Sequence, residues 1–334
     1  MVIDLAFVWA AIIAFAVLAY VVMDGFDLGI GILFPFFPEK KDRDVMMNSV
    51  APVWDGNETW LVLGGGGLLA VFPLAYAIVL PALYMPIILM LLALIFRGVA
   101  FEYRWRTRRA EFLWNYAFAW GSTIATFCQG IALGALVQGI EVKDRAYAGG
   151  WWDWLTPFSL ATGVALVIGY MLLGSTWLAM RTEGPLNEKA RRIARLAAFG
   201  TVSAMGVFSL WTPFTEPLYL ERWFKGPTAF FSFVVPLLVL GCLTVILTGL
   251  KAGHDKRPFL ASLGLFVLGY AGIGISFYPY IVPPSVTIHD AAAPDSSLAF
   301  LLAGAIVLVP MILGYTAYSY WVFRGKISDQ DGYH

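Results

Sequence analysis

Residues 59–96, TWLVLGGGGLLAVFPLAYAIVLPALYMPIILMLLALIF, run for 38 positions without a charged side chain. A helix crosses the roughly 30 Å hydrocarbon core of a bilayer in about 20 residues. The stretch is therefore too long for one crossing and too apolar for a soluble core. Pro73 and Pro81 lie where a tight turn is needed, and Gly64 to Gly67 weaken any single rigid helix. The reading splits it into two spans, roughly 52–72 and 76–100. Working outward, apolar runs bounded by charge or by Pro/Gly turns add seven more, near 5–34, 112–139, 155–180, 196–218, 229–251, 259–282 and 297–323.

Composition agrees. Of 334 residues, 60% are hydrophobic and 13% charged, about half the usual charged share of a soluble domain, and the mean hydropathy is +0.75. The expected fold class is an all-α integral membrane protein with nine transmembrane helices. The runs are too long, and alternate too little, for a β-barrel. Lys+Arg and Asp+Glu both total 22, so no basic surplus suggests a nucleic-acid partner. Cys128 and Cys242 sit in apolar runs and suit small buried hydrophobes. No Cys-x-x-Cys, Walker, GxGxxG or HExxH pattern occurs. Without a basic n-region or a small-residue cleavage site, the first apolar run is expected to be retained.

The partition of basic residues tests the count independently. With the N-terminus outside and nine crossings, the inner segments are 35–51, 101–111, 181–195, 252–258 and the C-terminal tail. Together with the span ends beside them they hold 17 of the 22 basic residues, among them Lys40, Arg104, Arg108, Arg191, Lys256 and Arg324. The outer loops hold only Lys143, Arg145, Arg222 and Lys225, and Arg97 lies within a span. The outer loops are instead rich in rings suited to the headgroup interface: Tyr147, Trp151, Trp152, Trp154, Tyr219 and Trp223. The C-terminus is then cytoplasmic.

Ionisable groups inside spans are costly and need a reason. MDGFDLGIG (23–31) carries Asp24 and Asp27 three residues apart, on one helical face. APVWDGNETW (51–60) carries Asp55 and Glu58 with Asn57 between them, and the next span ends with Arg97. The topology puts all five ionisable groups toward the cytoplasmic side, where neighbouring carboxylates can exchange protons in a polar inlet. Plainer readings stand beside this one. Asp55 and Glu58 follow Pro52 and suit a helix start. Arg97 can neutralise an aspartate or snorkel to headgroups. The glycines Gly25, Gly29 and Gly31 allow close helix packing, Met23, Met85 and Met171 suit packing, and Glu216 fits a loop cap better than an exit. The histidines, His254, His289 and His334, fall in loops or the tail. No span therefore offers an axial imidazole to an intramembrane haem, and a metal site is not expected.

MDGFDLGIGIL (23–33) and MMNSVAPVWDGNETWLVLGGG (46–66) resemble subunit II of cytochrome bd-type quinol oxidases. So do FRGVAFEYR (96–104), SFYPYIVPPSVTIHDAAAPDSSL (276–298) and VPMILGYTAYSYWVFRGKI (309–327). The loop-poor build is similar to the family's cyanide-insensitive branch. The resemblance implies two four-helix bundles (approximately 1–140 and 155–282) plus a peripheral helix (297–323). It implies a bacterial cytoplasmic (inner) membrane enzyme that oxidises quinol and reduces dioxygen to water. The haems, b and d, belong to a partner subunit I, none being ligated by this chain. In the family the WDGN aspartate belongs to a proton path, which carries over to Asp55. Trp54 flanks it, and Asp27 and Arg97 match polar positions important to integrity. The family sometimes holds a structural quinone in subunit II, but no polar pattern here identifies its site. Which quinone is used, and whether a small accessory membrane subunit is present, stays open.

The expected role is to support the haem subunit and conduct cytoplasmic protons through Asp55, Glu58, Asp24 and Asp27, with Trp54, Asn57 and Arg97 in support. The competing readings are a proton-coupled secondary transporter, of which the Gly64–Gly67 run is the one hint, and a scaffold with no proton role.

Overall fold

The computed structural model describes residues 4–107, 109–225 and 229–327. Arg108 and His334 lie outside the described residues. Eight helices are long and apolar enough to cross a membrane. They are α1 (Leu5–Leu33), α5 (Tyr84–Tyr103), α6 (Glu111–Gln138), α7 (Pro157–Arg181), α8 (Gly184–Thr215), α10 (Ala229–Lys251), α11 (Lys256–Phe277) and α13 (Asp295–Val322). Between them stand α2 (Lys40–Asn48), α3 (Trp54–Val71), α4 (Pro73–Ala82), α9 (Pro217–Phe224) and α12 (Ile288–Ala291). Two antiparallel ribbons of two short strands each complete the described chain, β1 (Val142–Lys143) with β2 (Ala146–Tyr147), and β3 (Tyr280–Val282) with β4 (Val286–Thr287).

The long apolar stretch is divided differently from the sequence expectation. The backbone breaks at Phe72 (φ −130°, ψ 62°) and at Leu83 (φ −113°, ψ 23°). The expected third span, 76–100, is thus a short helix α4 followed by α5. Pro73 opens α4 at its first position, where a missing N–H costs nothing. Pro81 remains inside α4 rather than making the turn. The sixth run also shifts. The segment 181–195 is mostly the first turns of α8, and Glu216 ends that helix and caps α9 through Leu218 N at 3.3 Å.

Helix α1 is the hub, packing on α3, α6, α7, α11 and α13. Sequential neighbours α5, α6, α7 and α8 pack in turn, and α10 packs on α8 and α11. Close approach explains the glycines of α1. A Cβ on Gly29 would stand 2.1 Å from the Tyr170 carbonyl oxygen, and one on Gly31 2.0 Å from Ser122 Oγ. Gly29 thus presses against Gly174 of α7, and Gly31 against α6, letting the backbones meet as small residues do in membranes. Cys128 is buried and Cys242 half-buried, and both are free thiols.

The aromatic belt is partly corrected. Trp151 and Trp152 are exposed, but Tyr219 is only 1% exposed. Its hydroxyl donates to the Val137 carbonyl at 3.0 Å, tying α9 to α6. It is a packing residue, because α9 folds back onto the helices instead of forming a loop.

Candidate functional site

The centre of the site is Arg97, near the end of α5 and wholly buried. Its Nη2 lies 2.8 Å from Asp24 Oδ1, and its Nη1 lies 3.3 Å from Glu58 Oε2. Three helices meet in this ion pair: α1 brings Asp24, α3 brings Glu58, and α5 brings Arg97. The guanidinium also faces the Trp54 and Phe101 rings at 5.8 and 5.9 Å, and those two rings stack at 4.5 Å. The aromatic pair closes one side of the charge and strengthens its field on the carboxylates by excluding water.

Asp27 lies one turn further along α1 and is wholly buried. It does not pair with Arg97. Asn57 Nδ2 donates to Asp27 Oδ2 at 2.6 Å, and Tyr320 of α13 donates its hydroxyl to Asn57 Oδ1 at 2.9 Å. Asn57, expected only as a support, therefore ties Asp27 to a helix far away in the chain. Asp27 Oδ1 and Arg97 Nε are buried with no hydrogen-bond partner among the described residues.

Of the four expected carboxylates, the fold gathers Asp24, Asp27 and Glu58. Glu58 is the outermost, its side chain 27% exposed. Asp55 stands in the first turn of α3 on its exposed side, one turn before Glu58, and forms no ion pair with Arg97 among the described residues. The same side carries Thr59, Val62, Gly66 and Leu69, all exposed, while Asn57, Trp60, Gly64 and Val71 face inward.

Sequence reasoning missed the continuation toward the other face. Tyr20 lies one helical turn before Asp24, and its hydroxyl accepts from Gln129 Nε2 at 2.7 Å. Tyr170 donates to Gln129 Oε1 at 3.0 Å. The signals were present: Tyr20 is at the i−4 position from Asp24, and Gln129 interrupts an apolar run. Among the described residues, no group of three His, Cys, Asp or Glu could hold a metal ion. His289 instead pairs with Asp4 at 2.9 Å, and the His254 ring meets Arg257 at 3.1 Å.

The chain is similar over nearly its whole length to known proteins. It is 32% identical to the Cytochrome bd-I ubiquinol oxidase subunit 2 of Escherichia coli, covering 98% of this chain and 96% of that protein. It is 27% identical to the Cytochrome bd ubiquinol oxidase subunit 2 of Bacillus subtilis, covering 97% of both. Its fold is similar to that of a chain of the bd oxidase from Geobacillus thermodenitrificans, with a TM-score of 0.76 at 16% identity, covering 96% and 99% of the two chains. The family model described as Cytochrome bd terminal oxidase subunit II matches residues 5–323, and the chain belongs to that family.

Proposed function

We propose that this chain is the non-haem subunit of a quinol:dioxygen oxidoreductase of a bacterial inner membrane. It braces a haem-bearing subunit I and passes cytoplasmic protons toward the partner's oxygen-reducing haems b and d. The relatives' names supply the enzyme class. The observation that carries the proton role is the cluster itself. Arg97 pairs with Asp24 and Glu58, and Asp27 lies one turn further along α1, so acids lead from exposed Asp55 at a helix start through half-buried Glu58 to the wholly buried aspartates.

The topology in this reading has nine spans, with α3 as the ninth. At 18 residues α3 reaches about 27 Å at 1.5 Å per residue, close to the hydrocarbon thickness. Asp55, Glu58 and five glycines dilute its hydropathy, so composition alone does not single it out. Helices α1, α3, α5 and α6 then form one four-helix bundle and α7, α8, α10 and α11 the other, with α13 peripheral. The basic residues put the N-terminus outside and the Asp55 end at the cytoplasm.

Mechanistically, Asp55 takes a proton from the cytoplasm and Glu58, one turn on, shares it with the ion-paired cluster. Arg97 holds a fixed positive charge, which keeps the site polar without itself moving protons. The unpartnered Asp27 Oδ1 offers an acceptor for a relay through bound water. The haems of the partner supply the electron chemistry. This chain's groups do acid–base relay only. The half-buried and exposed side of α3 around Asp55 is the face that meets subunit I. Among the described residues no set of groups marks a quinone or an accessory chain.

A tagged form of the chain, purified from its host membrane, should bring down a second membrane chain with haem absorption and quinol-dependent oxygen uptake. A chain that purifies alone, without haem, contradicts the assignment.

A further inference from the structure

A cavity with basic side chains on its wall, separate from the Arg97 cluster, opens where α7 ends, α11 begins and α13 ends, so that these three helix termini lie together. Its volume is about 240 Å³. The basic residues on its wall are Arg181, Lys256, Arg324 and Lys326, and the one acid is Asp255. That acid is already neutralised, by Lys326 at 2.9 Å and by Arg191 at 3.0 Å. Among the described residues, Arg181, Lys256 and Arg324 form no ion pair with a carboxylate, so the described wall of the cavity carries a net positive charge.

Arg181 is the built element. It is only 8% exposed, its Nη2 donates to the Phe323 carbonyl at 2.6 Å, and its guanidinium lies 5.2 Å from the centre of the Trp177 ring. Its Nε is buried and has no hydrogen-bond partner among the described residues. A buried guanidinium N–H without an acceptor is costly, and an anion with several oxygens is its natural complement. Apart from Ser49 and Gly325, the remaining wall is apolar or aromatic, with Pro52, Val53, Met180 and Tyr320 among its residues.

We infer that this cavity binds the phosphate of an anionic phospholipid headgroup. A basic pocket between membrane helices at their ends is the setting in which such headgroups are held. The cavity is smaller than the roughly 300–1,000 Å³ that encloses a whole drug-sized ligand. It therefore takes the headgroup, while the acyl chains run outside. Phe323, on its wall, is exposed, and so are Tyr318 and Val322 of α13 and Leu260 of α11, each within one helical turn in sequence of a wall residue. A soluble phosphate ion would have no use for that apolar border. The inference needs only that these three helix ends share one membrane face, whichever face it is. The headgroup would also touch the candidate proton site through Tyr320, which lines the cavity and donates to Asn57 beside Asp27.

The test is native mass spectrometry of the purified, delipidated complex titrated with phosphatidylglycerol, with phosphatidylcholine and with inorganic phosphate. One tightly held phosphatidylglycerol per complex is expected, bound at least tenfold more tightly than phosphatidylcholine. Each basic side chain removed should weaken it about fivefold, in line with about 1 kcal/mol per Lys or Arg at an anionic surface. Because Arg181→Gln also loses the bond to Phe323, and Arg324→Gln the bond to the Trp321 carbonyl, Lys256→Gln, at an exposed side chain, serves as the variant that leaves the packing alone. Arg192→Gln, an exposed basic residue of α8 outside the cavity, should change nothing. Equal weakening by Arg192→Gln would reduce the effect to general surface charge and overturn the site. Binding of inorganic phosphate as tight as that of phosphatidylglycerol would overturn the lipid assignment.

Discussion

Arg97 and Asp24 lie 2.8 Å apart with neither side chain exposed, joining α5 to α1 in the interior of the chain. Removing one partner of such a pair leaves the other as an uncompensated buried charge, which costs about 3–5 kcal/mol. Arg97→Gln should therefore lower the yield and thermal stability of the complex sharply. Adding Asp24→Asn should restore part of the loss, because the stranded carboxylate is then neutral. A melting curve for each variant measures both effects. A double variant no better than the single one would show that the pair is not the unit that matters.

Helix contact at Gly29 gives the second prediction. A Cβ there would sit 2.1 Å from the Tyr170 carbonyl oxygen and 2.8 Å from Gly174 N, both backbone atoms that cannot rotate away. Gly29→Ala should destabilise by about 1–3 kcal/mol or more, as overpacking does. Gly206→Ala in α8, where nothing stands within 4 Å of the added carbon, should be neutral or slightly stabilising. Parallel melts of the two variants compare them directly.

At the other end of α1, Asp4 caps the helix through Phe7 N at 3.0 Å and meets His289 Nε2 at 2.9 Å. The backbone bond from Phe7, and then the bond to His289, hold its carboxyl below the ordinary value of 3.8. A depressed carboxylate stabilises the folded state above its unfolded value and loses that contribution as pH falls through the folded one. Asp4→Asn should therefore melt below the unsubstituted protein at about pH 7, and the gap should narrow as pH falls below the ordinary value of 3.8 and close once Asp4 is protonated in the folded state. A gap that persists at the acid end would show that charge at Asp4 is not the cause.

The orientation can be read by labelling. The rule for basic residues puts Ala148 outside and Glu188 inside, and both are exposed. An impermeant thiol reagent added to the periplasmic side should modify Ala148→Cys and spare Glu188→Cys. The reverse pattern would invert the topology and remove the inlet from the cytoplasm.

Much of this was legible because membranes leave few choices. Runs of about 20 apolar residues have to be helices, and a charged group inside one has to have a partner. Asp24, Glu58 and Arg97 could be named from that alone, and the fold brings them together. What the sequence did not show is rotation about a helix axis. Helix α3 is so rich in glycine that its inward and outward sides look alike, so nothing in the sequence separated exposed Asp55 from buried Asn57. The partner of Asn57 is Tyr320, 263 residues away, and only tertiary packing reveals it. The break at Leu83 was missed because the apolar run continues unbroken through it, so 76–100 reads as one span although Pro81 stands two residues before the break.

The central claim is that acids of this chain relay protons, and Asp55 tests it best. It is exposed in the first turn of α3, bonded to none of the groups that hold the Arg97 cluster, so its removal should leave the fold intact. Asp55→Asn keeps the shape and removes the exchangeable proton. The optical spectrum and the oxygen-consumption rate should be measured on one preparation of the complex. The account predicts an unchanged haem spectrum with turnover lowered about tenfold or more, the low end of acid–base contributions being about a hundredfold and water able to replace part of it. Full turnover with a normal spectrum would contradict the relay and leave this chain a scaffold.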